Sequence, residues 1–341
     1  MNRSPADPRR DSADLRADLR SLVKPAPFAY HRAHSVAEAV ALLTELGDEA
    51  KILAGGLSLV PMMNFRLARP AALVDVTRIE GLSYLRVSQE GPDGQASQGG
   101  LRIGALTTHR AVETCRDPVV LESFGVLPRS ARWIGHYPVR SRGTFGGSIA
   151  HADPASEWCL LAVLLEARIV LTGPGGQRTV PAAGFFEGYY STAAAPDEMI
   201  TEICFPRPAP KAVLTEFAQR QGDFAVVAAA VSVDITDGAC REARVVLGGV
   251  GPLPLQVNAD PVRGQPATGQ TWQALGEHAA RQIDPPEDTH GDAAFRRRLT
   301  ATLVARALAE ASQAGPAGPA GPAGPAGPAG RAGTADSAAS A

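Results

Sequence analysis

Two glycine turns of the same form, AGGLS at 54–58 and TFGGS at 144–148, are the feature that most constrains how this chain folds. In each turn, two adjacent glycines are followed within two residues by a serine. Glycine permits positive φ and lets backbone N–H groups approach a ligand, and a row of such groups binds anions. For a single turn, a purely steric need for glycine is as good an explanation as anion binding. Because the form occurs twice, we favour a paired site for a phosphate group.

The two best-known phosphate-binding motifs are absent from the sequence. A Walker A loop requires Gly-Lys-Ser/Thr, and none of the lysines (Lys24, Lys51 and Lys211) follows a glycine. No G-x-G-x-x-G follows a predicted strand either. The glycine turns therefore indicate a phosphate site of another type.

The composition is that of an ordinary globular protein. The chain has 341 residues, 45% of them hydrophobic, and a net charge of −2, which favours neither nucleic acid nor an anionic membrane as a partner. The cysteines lie far apart, so we expect reduced thiols and no iron–sulfur or zinc site; they are Cys115, Cys159, Cys204 and Cys240. No apolar run reaches the roughly 20 residues of a membrane span, and the acidic N-terminus is unlike a secretory signal. We therefore expect a cytoplasmic protein.

From Pro25 onward the residue pattern predicts an α+β fold. HSVAEAVALLTELGD predicts a helix that begins with a capping box of Ser35 and Glu38. Strands are predicted at KILA, ALVDV and LRIGAL, with a helix start near Thr108, and ARIVLTGPGGQRTVP predicts a β-hairpin. In DPASEWCLLAVLLEA, Asp153 is the predicted N-cap and Pro154 the first helical residue.

The last third of the chain has a different pattern. Three predicted strands, in VLTEFAQ, FAVVAAAVSVDI and REARVVLGGV, precede helical segments near 271–282 and 293–312, and we expect a domain boundary at 207–211. Residues 1–24 are predicted to be a disordered extension. From Gly315 the chain repeats Gly-Pro-Ala five times, which is the period of collagen. Five triplets are short for a triple helix, so 313–341 is predicted to be a disordered tail.

Several segments together resemble one known family. ILAGGLSLVPMMNFRLARPAALVDV and GHYPVRSRGTFGGSIAHADPASE are similar to the two flavin-binding motifs of the FAD-binding, medium-sized subunit of the xanthine dehydrogenase and carbon monoxide dehydrogenase group of molybdenum hydroxylases. The resemblance continues through QRQGDFAVVAAAV and GGVGPLPL and covers Pro25 to Ser312. It implies an FAD-binding domain of the PCMH type at 25–208, with parts at 25–76 and 77–208. A C-terminal flavoprotein domain with a small antiparallel sheet and helices then occupies 209–312.

The resemblance also implies an activity. In the family, a large molybdopterin-binding subunit hydroxylates the substrate, and electrons pass through two [2Fe–2S] clusters of a small subunit to the FAD of the medium subunit. The flavin supplies the redox chemistry, so no acid–base catalyst is expected in this chain. We expect a heterotrimer or a dimer of heterotrimers, with a partner surface near Phe224. The hydroxylated substrate and the electron acceptor, whether NAD, quinone or oxygen, stay open.

The resemblance assigns FAD-binding roles to residues at matching positions. These are Ala54, Gly55, Gly56, Leu57, Ser58, Thr144, Gly146, Gly147, Ser148, Glu157 and Phe224. Leu57 stands where the family usually has Gln or His, so one polar contact is in doubt. Phe145 replaces the usual Ile, which changes packing more than chemistry. Glu157 matches a carboxylate that contacts the cofactor but also suits a helix-dipole partner. Phe224 matches an aromatic residue beside the isoalloxazine but also suits a core position.

Two other functional classes stay open at this point. One is a self-contained FAD-dependent oxidase or dehydrogenase, and the other is a scaffold protein that displays a collagen-like tail. His151 is interpreted as structural or solvent-facing, because no second metal ligand lies at suitable spacing. His31 and His34 have no assigned role.

Overall fold

The computed structural model describes residues 24–90 and 96–313. This part of the chain contains both helices and strands, and its two larger sheets are antiparallel, so the predicted α+β class is confirmed. The predicted extension at 1–24 and tail at 313–341 lie, except for Lys24 and Gln313, outside the described residues.

The N-terminal part is a three-stranded parallel sheet with two helices. Its elements are β1 (Ala29–Arg32), α1 (Val36–Leu46), β2 (Ala50–Leu53), α2 (Leu59–Asn64) and β3 (Ala72–Asp75). β3 lies between β1 and β2 and is parallel to both, so each helix belongs to a crossover connection. The predicted strands at KILA and ALVDV are confirmed. The first glycine turn connects the carboxyl end of β2 to α2.

Helix α1 begins where the sequence predicts. The Ser35 side chain accepts a hydrogen bond from the N–H of Glu38 at 3.1 Å. The Glu38 carboxylate accepts one from the N–H of His34 at 2.8 Å, one residue before the N–H of a standard capping box. Both bonds satisfy N–H groups at the start of the helix, and the predicted helix is confirmed.

The middle part contains a five-stranded antiparallel sheet with short helices between its strands. In chain order the elements are β4 (Leu85–Glu90), β5 (Ala96–Gly104), α3 (His109–Glu113), α4 (Pro118–Phe124), α5 (Val126–Ser130), α6 (Tyr137–Arg142), α7 (Phe145–His151), α8 (Glu157–Leu164), β6 (Arg168–Gly173), β7 (Gly176–Pro181), β8 (Phe186–Gly188), β9 (Ser191–Thr192) and β10 (Met199–Phe205). The strand order of the large sheet is β4-β5-β10-β6-β7, and β8 pairs with β9. The predicted hairpin of β6 and β7, the strand at LRIGAL and the helix start after Thr108 are confirmed.

The C-terminal part is a four-stranded antiparallel sheet with two helices. Its elements are β11 (Ala212–Phe217), β12 (Val227–Thr236), β13 (Ala239–Gly248), β14 (Leu255–Val257), α9 (Gly269–Arg281) and α10 (Ala293–Gln313). The strands follow one another in chain order across the sheet. The three predicted strands and both predicted helices are confirmed. The sequence did not predict β14, which has three residues and follows a proline-rich turn.

Helix α8 connects the middle and C-terminal parts through one hydrophobic core. Every residue from Trp158 to Leu164 is buried, and the helix contacts β12 and β13. The same cluster of buried side chains includes Ile103 of β5 and Ala228 of β12. A helix that is apolar on every side is stable only when it is covered on every side. One face of the C-terminal sheet therefore covers α8, and the opposite face of the same sheet contacts α10.

The predicted N-cap of α8 is wrong by three residues. Ser156, not Asp153, is the N-cap residue, and α8 begins at Glu157. The Asp153 carboxylate instead accepts a hydrogen bond from the N–H of Ala155 at 2.8 Å, and the Asp153 carbonyl accepts one from the N–H of Ser156 at 2.9 Å. These bonds close a turn before the helix starts. Asp favours such a turn as strongly as it favours an N-cap, because both use the same side-chain bond to a nearby N–H.

Candidate cofactor-binding site

The fold brings the two glycine turns into direct contact. A Cβ built on Gly55 would overlap the carbonyl oxygen of Arg142 and lie 2.9 Å from the Cα of Gly143. A Cβ built on Gly147 would lie 3.8 Å from the Cβ of Ala54. The turns, which are about ninety residues apart in the sequence, therefore form two walls of one site. The approach of the second wall is sufficient to require glycine at position 55.

The first turn offers a row of available hydrogen-bond donors. Among the described residues, none accepts a hydrogen bond from the backbone N–H groups of Gly55, Gly56, Leu57 or Ser58. Gly56 has φ of 76°, in the left-handed region that favours glycine. Ser58 precedes α2, but its hydroxyl makes no capping bond to that helix. All four residues are half-buried, so consecutive N–H groups and one hydroxyl are available to an anion such as a diphosphate.

The second turn is built differently, because its backbone donors are already used. The N–H groups of Phe145 and Gly146 donate to the carbonyls of Thr107 and Ala105, at 2.8 and 2.9 Å. The other two N–H groups of the turn donate to the Thr144 side chain and carbonyl, at 3.1 and 3.0 Å. A Cβ on Gly146 would lie only 2.6 Å from the Cβ of Ala105. The second turn therefore contributes a close surface, while the backbone donors expected at both turns are available only at the first.

The hydroxyls of the second turn also have internal partners. Thr144 is buried and caps α7 by accepting from the N–H of Gly147. Ser148 Oγ lies 2.8 Å from Ser156 Oγ, so the turn is tied to the start of α8. Gly147 and Ser148 are half-buried, and Ser148 keeps the capacity for a second hydrogen bond.

Behind the second turn lies a buried aromatic cluster that also contains a histidine. The Phe145 ring stacks on Trp158, with the ring centroids 4.5 Å apart, so the Phe145 side chain makes packing contacts. The Trp158 indole N–H donates to Nδ1 of His109 at 2.9 Å. Burial lowers the pKa of His109 to about 4, and the charge of Arg140 acts in the same direction. His109 is therefore neutral near pH 7, and nothing in the sequence pointed to its role.

Glu157 and Glu216 form an acidic pair where the middle and C-terminal parts meet. Glu157 is the first residue of α8, and Glu216 lies near the end of β11. The pKa of each carboxyl group is raised by burial, and the charge of Glu216 raises that of Glu157 further. Sequence reasoning singled out Glu157 but missed Glu216, because an isolated Glu in a strand carries no motif.

Phe224 lies in the connection between β11 and β12 and is 72% exposed. Exposure to this degree excludes the core position that the sequence left open. The neighbouring Gly222 contacts the ring of His136, since a Cβ there would lie 2.6 Å from its Cε1 atom. His136 directly precedes α6, which leads into the second turn. The connection that carries Phe224 therefore reaches across to the segment before that turn.

Arg296 fixes the base of this connection. Its guanidinium donates to the carbonyl oxygens of Val226 and Gly249, at 2.5 and 2.7 Å, and to the carboxylate of Asp288 at 2.7 Å. The Arg296 side chain is almost fully buried. A buried guanidinium bound to two carbonyls holds the ends of two strands at a fixed distance, so the position of the Phe224 connection depends on α10.

The remaining sequence candidates lie apart from one another. His151 packs against the ring of Tyr190 at 5.0 Å, and His31 is in β1. In the described ranges, no three His, Cys, Asp or Glu side chains converge as a metal site would require, and all four cysteines are free. No helix in that part of the chain is long and apolar enough to span a membrane.

Comparison with known proteins identifies the family. Residues 26–208 match the model of the FAD binding domain in molybdopterin dehydrogenase, and residues 212–311 match that of the CO dehydrogenase flavoprotein C-terminal domain. The chain is 37% identical to the carbon monoxide dehydrogenase medium chain of Hydrogenophaga pseudoflava over 84% of this chain and 98% of that one. It is 35% identical to the 6-hydroxypseudooxynicotine dehydrogenase complex subunit alpha of Paenarthrobacter nicotinovorans, over 85% and 96% of the two chains.

A solved structure shows the same fold. The fold matches a structure of the Hydrogenophaga pseudoflava carbon monoxide dehydrogenase that lacks the Mo-pyranopterin moiety, with a TM-score of 0.78, 37% identity and coverage of 84% of this chain and 98% of that one. The available donors of the first glycine turn fit an FAD diphosphate. The chain therefore belongs to the family of FAD-binding medium subunits of the xanthine dehydrogenase and carbon monoxide dehydrogenase group, a family of oxidoreductases whose cofactor is FAD.

Proposed function

We propose that this chain is the electron-transfer subunit of a heteromeric molybdenum hydroxylase. It receives electrons from the [2Fe–2S] clusters of a small subunit and passes them through FAD to an acceptor, while a large molybdopterin-binding subunit hydroxylates the substrate. The names of its relatives, a carbon monoxide dehydrogenase medium chain and a subunit of a dehydrogenase complex, support this proposal. FAD, when bound, supplies the one- and two-electron redox chemistry.

The observation that carries the proposal is the row of N–H groups at 55–58, which have no hydrogen-bond acceptor among the described residues, on a turn that touches the segment of the second turn. We assign these N–H groups and the Ser58 hydroxyl to the FAD diphosphate. Ala54, Thr144, Gly146, Gly147 and Ser148 form the rest of the two walls. A neutral-backbone site of this kind binds an anion without placing a lysine or arginine in it.

The other assigned residues would contact the flavin end of FAD. Glu157 would accept hydrogen bonds from the cofactor, and Phe224 would lie against the isoalloxazine ring. An aromatic side chain that is 72% exposed supports this role, because stacking on a ring would remove most of that surface from water. The chain then binds and orients FAD, and no residue of the chain is required to transfer a proton to substrate.

We further propose how the chain is organised and where it works. The FAD-binding domain would occupy 25–208, in parts 25–76 and 77–208, and the C-terminal flavoprotein domain 209–312. A cytoplasmic location is supported by the buried free thiols of Cys159, Cys204 and Cys240, since reduced thiols persist in a reducing compartment. Assembly would give a heterotrimer or a dimer of heterotrimers.

Affinity purification from the native host, followed by flavin and metal analysis, tests the proposal. We expect the chain to carry FAD and to co-purify with two partners that contain molybdenum and iron. The isolated chain should accept electrons from a strong chemical reductant but oxidise no purine, aldehyde or aromatic substrate. A flavin-loaded chain without metals or partners that oxidises an organic substrate would contradict the proposal and favour a self-contained oxidase. A chain that binds no FAD would favour a scaffold protein.

A further inference from the structure

Glu216 is a half-buried residue that is not among the residues assigned to FAD. Side chains alternate along a strand, and Leu214 belongs to the core around α8, whereas Val213 belongs to the core of the C-terminal part. Glu216, on the same face as Leu214, therefore points toward α8. Its Oε2 atom is buried and has no hydrogen-bond partner in the described part of the chain. Leaving such an atom unpaired costs free energy, so we expect a hydrogen-bond donor from outside the described residues to pair with it.

The group that interacts with Glu216 is another carboxylate. The charge of Glu216 and that of Asp153 both raise the pKa of Glu157, in addition to the effect of burial. Within the described ranges, no basic side chain forms an ion pair with either glutamate. Two interacting buried carboxyl groups without a counter-ion cannot both stay ionised near neutral pH, so the pair retains a proton.

Among the described residues, the elements packed against the pair place no basic side chain in an ion pair with it. On α5, which packs against β11, Arg129 donates to the Ala212 carbonyl at 3.0 Å, at the opposite end of that strand from Glu216. On α7, burial lowers the pKa of His151, which keeps its ring neutral. On α8, burial raises the pKa of the Cys159 thiol to about 12. On β13, Arg244 pairs with Glu166 and Glu242, at 3.0 and 2.6 Å, beyond the opposite end of α8. Only a proton or a ligand donor can therefore compensate the charge of the pair.

The position of the pair indicates which part of FAD supplies that donor. The ribityl chain of FAD connects the diphosphate, assigned to the glycine turns, to the isoalloxazine, assigned to Phe224. Glu157 follows the second turn, and Glu216 precedes the connection that carries Phe224. The hydroxyl groups of a bound ribityl chain would supply hydrogen-bond donors between those two ends. We infer that Glu216 binds the ribityl chain of FAD through Oε2 and shares one proton with Glu157, an inference that rests on the proposed binding of FAD.

A dependence of FAD binding on pH follows. Hydrogen bonds donated by hydroxyl groups favour the ionised form of a carboxylate. FAD binding then releases part of the shared proton, so FAD affinity should rise as the pH increases through the range in which the pair titrates. The opposite sign would require the flavin to favour the protonated pair.

FAD titration of the flavin-free chain at a series of pH values tests the inference. We expect Glu216→Leu to weaken FAD binding about tenfold, the effect of losing one hydrogen bond to a charged group, while the melting temperature of the flavin-free chain rises because an unpaired buried carboxylate is removed. Glu216→Gln keeps an acceptor oxygen but cannot ionise. It should retain FAD within a few-fold and lose the pH dependence of binding.

Glu202→Gln is the matched control. Glu202 is also buried, but its carboxylate is fully paired with Arg102, at 2.7 Å for both oxygens. This variant should lose stability and keep the pH dependence of FAD binding. Wild-type affinity and pH dependence in both Glu216 variants would overturn the inference. A wild-type chain that binds no FAD at any pH would instead overturn the proposed function.

Discussion

The Cα of Gly55 packs directly against the carbonyl of Arg142, and no side chain fits between them. This contact sets the width of the site, because Gly55 belongs to the first glycine turn and Arg142 lies two residues before the second. The two walls of the candidate site are therefore held together by protein packing before any ligand enters. A cofactor site formed in this way is largely pre-organised, which reduces the cost of ordering on binding.

Gly55→Ala tests this contact. The added Cβ would overlap a backbone carbonyl, which cannot move as a flexible side chain can. We expect a loss of stability of about 1–3 kcal/mol, typical of overpacking, together with loss of FAD. Urea unfolding and FAD titration measure the two effects. Gly175→Ala, in the open turn of the β6–β7 hairpin with nothing near its Cβ position, should change neither. Normal FAD binding by Gly55→Ala would show that the walls are free to move apart.

Ser58→Ala tests the hydroxyl of the first turn. Because Ser58 makes no capping bond to α2, its removal should leave the free energy of unfolding unchanged. Loss of a hydrogen bond to the diphosphate should weaken FAD by about 1 kcal/mol, or roughly fivefold. Ser35→Ala is the matched control, since Ser35 does cap α1. That variant should lose about 1 kcal/mol of stability with FAD affinity unchanged. If Ser58→Ala destabilises the fold as Ser35→Ala does, Ser58 is a structural residue.

The sequence predicted the elements of the fold better than the roles of individual residues in the site. Strand and helix signals are local, so the capping at Ser35 and the β6–β7 hairpin could be predicted. Both glycine turns could be located from the sequence, but the difference in their available backbone donors could not. Gly56 has positive φ and precedes N–H groups with no acceptor in the described part of the chain, whereas position 146 requires glycine because Ala105 lies against it. The partner of Gly146 lies about forty residues away, and a single sequence carries no signal for such a contact.

Glu216 and His109 escaped prediction for the same reason. Each has its role through burial and through a partner distant in the chain, Glu157 for the first and Trp158 for the second. For Asp153, in contrast, the sequence did carry a local signal, but the prediction made from it was wrong. Its local signal was strong but fitted two structures, a helix cap and a turn, and the structure has the turn.

His109 should make stability depend on pH. Its pKa is about 4 in the folded chain and about 6.5 when exposed, so the unfolded chain binds a proton more readily. The neutral ring therefore contributes stability that is present above about pH 6.5 and is lost as the pH falls toward 4, by up to about 3 kcal/mol. His109→Gln, which can still accept the Trp158 N–H, should lose less stability over this interval. Unfolding curves at several pH values measure the difference, and parallel losses in both proteins would contradict the assignment.

The last prediction concerns the surface that meets the partner subunits. The three most exposed large apolar side chains of the described residues are Leu67, Phe65 and Phe224, at 76%, 74% and 72%. Phe65 and Leu67 directly follow α2, the helix that begins at the first glycine turn, and Phe224 is assigned to the flavin. Phe65 and Leu67 are two residues apart, and exposed apolar side chains that lie together indicate a protein interface.

Phe65→Arg combined with Leu67→Arg should therefore abolish co-purification of the molybdenum and iron subunits without releasing FAD. The side chains are exposed, so the substitutions should change the free energy of unfolding by less than about 0.5 kcal/mol. Val119→Arg is the control, because Val119 is an exposed apolar residue of α4, on a different part of the chain. It should leave the complex intact. Full recovery of both partners with the double variant would show that the electron-donating subunit binds another surface of the chain.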